Sequence, residues 1–124
     1  METMHISAIR GAICVEADQK ELIGKAACKL YAQMLSRNNL KESEIACLLL
    51  TQTGDLSSMN PATGLRKGGF CTTTPLFCMQ ELEIEGMLEK VVRMLMILNH
   101  PIQTPVAVFL DGAEKLRPDL ALSE

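Results

Sequence analysis

The chain has 124 residues, 48% of them hydrophobic, with no Trp, one Tyr and three Phe, so one domain spanning residues 1–124 with an aliphatic, Met-rich core is expected. A net charge of −3, with no basic run and no aromatic–basic interleaving, argues against nucleic acid or an anionic membrane surface as a partner. No apolar stretch approaches the ~20 residues of a membrane span, METMHISAIRGA lacks the pattern of a signal peptide, and five cysteines without a CxxC pair fit reduced thiols in a cytoplasmic protein better than disulfides or a zinc site.

Residues 4–10, MHISAIR, alternate loosely and read as a strand ending at Arg10–Gly11, with a second short apolar run at 12–15. Arg10 is then either a solvated edge residue, which pattern favours, or a cation handed to a cleft. Asp18 with Glu21 resembles a capping box ahead of an amphipathic helix over 19–37. Leu22, Ile23, Ala26, Ala27, Leu30, Tyr31, Met34 and Leu35 fall on its apolar face. Asn38–Asn39 is its stop, since Asn tolerates the left-handed conformation. IACLLL, residues 45–50, is too continuous for one-sided burial and reads as a central strand covered on both faces.

Residues 51–73 are rich in Gly, Ser and Thr and form the least ordered-looking stretch. They contain neither a GxGxxG nor a phosphate-binding loop, so no nucleotide site is read there. Ala62–Lys67 reads as a single helical turn, and Arg66 and Lys67 are more simply solvated than anion-binding. Residues 74–80 are a third strand. Residues 83–99 are read as a second helix with Leu88, Val91, Val92, Leu95 and Leu98 as its buried stripe, stopped by Pro101. Residues 105–110, PVAVFL, form a last strand, and 114–124 a tail expected to be mobile.

Arg93 and Glu81 are the charges hardest to explain as ordinary surface. Arg93 is alone among Val91, Val92, Met94, Leu95, Met96, Ile97 and Leu98, and Glu81 closes the apolar run 75–80. Long charged side chains are rarely buried unpaired, at a cost of several kcal/mol. Either Arg93 lies on the one wet stripe of its helix, beside Glu89, Lys90 and Ile97, or Arg93 and Glu81 face a polar ligand in a mostly apolar pocket. The element order implies an α+β fold, a mixed sheet with two main helices on one face. Its bare opposite face would be buried against copies of the chain.

Four motifs, in order and at matching spacing, carry a resemblance over nearly the whole chain: IRGA at 9–12, CMQE at 78–81, Arg93, and LRPDL at 116–120. The chain resembles the monofunctional trimeric α/β chorismate mutases, the AroH class. The resemblance implies a homotrimer forming a pseudo-α/β barrel, with active sites between subunits. It implies rearrangement of chorismate to prephenate, on the way to Phe and Tyr, with no cofactor and no metal. By position Arg93 would stabilise the ether oxygen, Glu81 would hold the ring hydroxyl, and Arg10 would reach a substrate carboxylate and the enolpyruvyl group. Cys78 matches a residue near the ring hydroxyl, Arg66 one at the cleft mouth, and Leu116 and Arg117 the covering tail. Leu76, Phe77, Asn60, Ala62, Thr63 and Phe109 fall at substrate-lining positions.

Three positions depart from the family pattern. Phe109 stands for a Tyr whose hydroxyl meets a substrate carboxylate, Thr63 for a Lys, and Phe77 for a small polar residue. The expectation is a working mutase with a raised Michaelis constant. The competing readings are an enzyme of this fold acting on a related enolpyruvyl ether, and a non-catalytic trimer that binds chorismate or prephenate.

Overall fold

Five strands make one mixed sheet, ordered β3-β2-β4-β1-β5, in a computed structural model that describes residues 6–121. They are β1 (Ala8–Cys14), β2 (Ile45–Gln52), β3 (Leu76–Gln80), β4 (Val91–Leu98) and β5 (Val108–Leu110). β4 lies between β1 and β2 and runs antiparallel to both, while β3 is parallel to β2 and β5 parallel to β1. Helices α1 (Lys20–Arg37) and α2 (Pro61–Lys67) pack on one face. The chain closes with a 3-10 turn at Ala113–Leu116 and a short α3 (Pro118–Ala121). The α+β class and the mixed sheet with two main helices are as expected, but the second helix is α2, not residues 83–99.

α1 forms where its apolar spacing places it, burying Ile23, Ala26, Ala27, Leu30, Tyr31 and Met34. It stops at Asn39, whose φ of 53° is the left-handed conformation expected there. Asn38 then pins the approach to β5: its amide donates to Met34 O and Val106 O and accepts from Val106 N. Asp18 does not cap α1, because Gln19 holds that position without a side-chain hydrogen bond. Its carboxylate accepts instead from the backbone N–H groups of Ser57 and Ser58 at 3.0 and 2.9 Å. Those donors, Ser58 foremost, hold its pKa below the ordinary aspartate value.

Two expectations about strands are corrected. β1 does not end at Arg10–Gly11 but runs on through the second apolar run to Cys14. Gly11 is not a break: a Cβ there would lie 2.6 Å from the Met34 sulfur, so the residue lets α1 sit close on the strand. Met4 and His5 of the expected strand, and residues 122–124 of the tail, lie outside the described residues. The last strand is also shorter than 105–110, pairing with β1 only over Val108, Phe109 and Leu110.

Residues 83–99 are the larger correction. Residues 81–90 form a loop, and 91–98 are β4, the middle strand. Gly86 at φ 82° and Lys90 at φ 53° interrupt any helix. In VVRMLMIL the burial alternates: Val92, Met94, Met96 and Leu98 are buried on the helix side, while Arg93 and Leu95 are exposed on the other. A short continuous apolar run fits either period until neighbouring strands choose one. β2 shows the same alternation, with Leu48 and Leu50 buried and Leu49 half-exposed. A single chain therefore covers only one face of β2.

The face opposite the helices carries a small second cluster. Ala12, Val91, Phe109 and Ala113 are buried there, with Leu88, Leu116 and Leu120 packed against them. The rest of that face and its adjoining loop stay open, leaving Phe77 62% and Leu82 82% exposed beside Met79, Ile84 and Leu95.

A candidate active site on the open sheet face

Strand register gathers the site. Met79, Thr51, Arg93, Ala12 and Phe109 are successive cross-strand partners, forming one row across all five strands. The next row on the same face runs Phe77, Leu49, Leu95, Arg10. Diagonal neighbours in adjacent rows lie within reach of long side chains, so the Arg10 and Arg93 side chains project over one apolar floor. Glu81 is the first residue past β3, and its N–H donates to Gln52 O at 2.9 Å, extending the pairing by one step. Its carboxylate folds over the open face. Arg93 Nε donates to Oε2 at 3.1 Å, Arg93 Nη2 donates to Oε1, and the Thr51 hydroxyl donates to Oε2 at 2.9 Å.

This ion pair is uneven in exposure. The Arg93 side chain is 50% exposed, but that of Glu81 only 13%. The wet-stripe reading of Arg93 therefore gives way to a paired guanidinium at the edge of a cleft. A cavity of about 440 Å³ is lined by Arg10, Thr51, Arg93, Phe109, Leu116 and Arg117 among others. A second, of about 790 Å³, lies between the tail and the 81–90 loop, with Glu81, Arg93, Lys115 and Leu116 in its wall. Arg117 makes a two-pronged ion pair with Asp119 at 3.0 and 2.8 Å. That pairing raises the arginine's pKa and lowers the aspartate's.

Of the residues singled out in the sequence, Arg93, Glu81, Arg10, Phe109, Leu116 and Arg117 come together here. The others do not. Asn60, Ala62, Thr63 and Arg66 belong to α2 and its cap, where Asn60 Oδ1 accepts from Ala62 N at 2.8 Å. Leu76 and Cys78 point to the helix side of β3 and pack on the main core. Phe77, between them, points the other way and is exposed on the open face. One chain thus carries two partial constellations on opposite faces of its sheet.

The Cys78 thiol is pushed up in pKa by burial, against the lowering effect of backbone hydrogen bonds from Ala62 and Met79. It is a neutral donor, 3.2 Å from Gln52 Oε1, rather than a nucleophile. All five cysteines are free thiols. Among the described residues no group of His, Cys, Asp or Glu could hold a metal ion, and no helix is long and apolar enough to cross a membrane. Local composition puts Thr51 at the start of a loop, but it lies within β2. Continuing the alternation of Ile45–Leu50 by one step would have placed it on the face of Arg93.

Residues 6–120 match the family described as chorismate mutase type I. The chain is 34% identical over 123 residues to the chorismate mutase AroH of Bacillus subtilis, spanning 98% of this chain and 97% of that protein. It is 37% identical over 118 residues to the chorismate mutase AroH of Thermus thermophilus, spanning 93% and 96%. A solved chorismate mutase from Clostridium thermocellum superposes with a TM-score of 0.82 at 35% identity, covering 88% of this chain and 98% of that one. With its fold shared and its sequence matched over nearly the whole length, this chain belongs to the type I chorismate mutase family.

Proposed function

We infer that this chain is an isomerase that rearranges chorismate to prephenate in aromatic amino-acid biosynthesis, with Arg93 as the group that stabilises the transition state. The observation that carries this reading is the Arg93–Glu81 pair set beside Arg10 over an apolar sheet face. The rearrangement is pericyclic, so no nucleophile or proton shuttle is called for. In the transition state the ether C–O bond breaks ahead of C–C formation. Negative charge gathers on the ether and enolpyruvyl oxygens, and positive character on the ring.

A guanidinium held beside the ether oxygen in a dry site is worth far more than in water. Arg93 carries five N–H donors, so it can turn part of its fork to that oxygen. Glu81 accepts from the ring hydroxyl and complements the ring's positive character. Arg10 and Arg117 meet substrate carboxylates, and holding the reactive diaxial conformer supplies an entropic share of the acceleration.

The working form in this proposal is a homotrimer, a pseudo-α/β barrel in which the open sheet faces turn inward. Exposed Phe77, Met79 and Leu95 support burial of this face against other copies. The α2 group, Asn60, Ala62, Thr63 and Arg66 with Leu76 and Cys78, then completes the cleft of a neighbouring copy. The tail from residue 114 closes over bound substrate, and the five free thiols fit the reducing cytoplasm.

The test is direct. Purified protein mixed with chorismate should abolish its ultraviolet absorbance, and acid should convert the product to phenylpyruvate. Chorismate that persists would overturn the assignment. Phe109 lies in the row of Arg93, under Leu116. Phe109→Tyr adds a hydroxyl at the carboxylate end of this cleft, and the expected result is a KM about tenfold lower with kcat changed less. A hydrogen bond to a charged group is worth about 1.5–3 kcal/mol. An unchanged KM in steady-state assays would remove Phe109 from the carboxylate subsite.

A further inference from the structure

We propose that Thr51 is a positioning residue that holds the Glu81 carboxylate in place while Arg93 turns to the substrate, an inference that rests on the mutase reading above. Glu81 sits outside regular structure, on the first step of the 81–90 loop. Loop side chains hold a reactive geometry less well than those on strands. Two consecutive residues of β2 make up for this. Gln52 O accepts the Glu81 N–H at 2.9 Å, and the Thr51 hydroxyl donates to Glu81 Oε2 at 2.9 Å. Backbone and carboxylate of Glu81 are thus both anchored to a strand with a partner on either side.

Without substrate, Oε2 takes two donors, Thr51 and Arg93 Nε, and Oε1 takes Arg93 Nη2. Among the described residues, Thr51 is the other side-chain donor to this carboxylate besides Arg93. When the guanidinium reorients toward a substrate oxygen, its bonds to Glu81 loosen, and the Thr51 hydroxyl remains. A β-branched side chain is stiff at χ1, and Thr51 is flanked in its row by Met79 and Arg93, so the hydroxyl is itself well placed. The other charged groups around the carboxylate are Glu89 of the loop and Lys115 of the tail, both in the wall of the larger cavity. Neither donates a hydrogen bond to Glu81, so neither substitutes for Thr51 in this arrangement.

Thr51→Val and Thr51→Ser separate the hydroxyl from packing. Val keeps the shape and strand preference but not the donor; Ser keeps the donor. The expected result is that Thr51→Val lowers kcat/KM about tenfold, mostly in kcat, because the hold matters most once Arg93 has turned. Thr51→Ser should restore it to within about twofold. Ligand-free crystal structures supply a readout that does not depend on turnover: one Glu81 rotamer in the wild type and Thr51→Ser, several in Thr51→Val. A single unmoved rotamer in Thr51→Val, or a Thr51→Ser variant as impaired as Thr51→Val, would overturn the proposal. If the wild type fails to convert chorismate, the functional reading falls, while the Glu81 rotamers still decide whether Thr51 holds that carboxylate.

Discussion

Arg93→Ala lowers kcat by about a thousandfold or more while the protein stays folded. Removing one neutral donor from an oxyanion site costs roughly a hundred- to a thousandfold, and here the lost group is a full cation facing developing negative charge. Arg93→Lys should fall between, because an ammonium keeps the charge but not the planar fork that reaches Glu81 and the ether oxygen together. Folding survives because the Arg93 side chain is half exposed and Glu81 keeps the Thr51 hydroxyl as partner. The absorbance assay with a circular-dichroism melt checks both halves. An Arg93→Ala enzyme within tenfold of wild type would remove Arg93 as the transition-state group.

Arg93→Ala and Arg66→Glu chains, each almost inactive alone, should together recover about a quarter of wild-type activity when co-expressed in equal amounts and purified as one pool of randomly assembled trimers. The arithmetic follows from the proposed head-to-tail ring, in which each cleft takes its sheet face from one copy and its α2 from the next. With random assembly, about half the clefts have an intact Arg93 and about half of those an intact Arg66. The single chain motivates the experiment, since Arg93 and Arg66 lie on opposite faces of the sheet. Mixed assemblies as inactive as either parent would show that no cleft is shared. A monomer by sedimentation would sink the trimer as well.

Two strand–helix–strand passages are present, but only the first is built from the helix that the sequence spacing predicts. β1–α1–β2 forms with β4 inserted between its strands, and the second passage is β2–α2–β3, not one built on the expected helix at 83–99. Asp18 and Gly11 were misread for a common reason. Asp18 reads locally as the cap of its own helix but serves Ser57 and Ser58, and Gly11 reads locally as a strand end but makes room for Met34. Each answers to a neighbour far away along the chain, which local pattern does not contain.

What the sequence determined by itself was local or chemical. The apolar spacing of residues 20–37 makes α1 because a 3.6-residue period sustained over several turns has no good strand alternative. Arg93 and Glu81 stood out because charges in apolar runs need partners, and they proved to be each other's. What only the tertiary structure decided was the identity of 91–98 as the middle strand, and with it the placing of Arg93, Thr51 and Phe109 in one row. An eight-residue apolar run satisfies helix and strand alike, and β1 and β2 on either side settle it by taking its backbone hydrogen bonds.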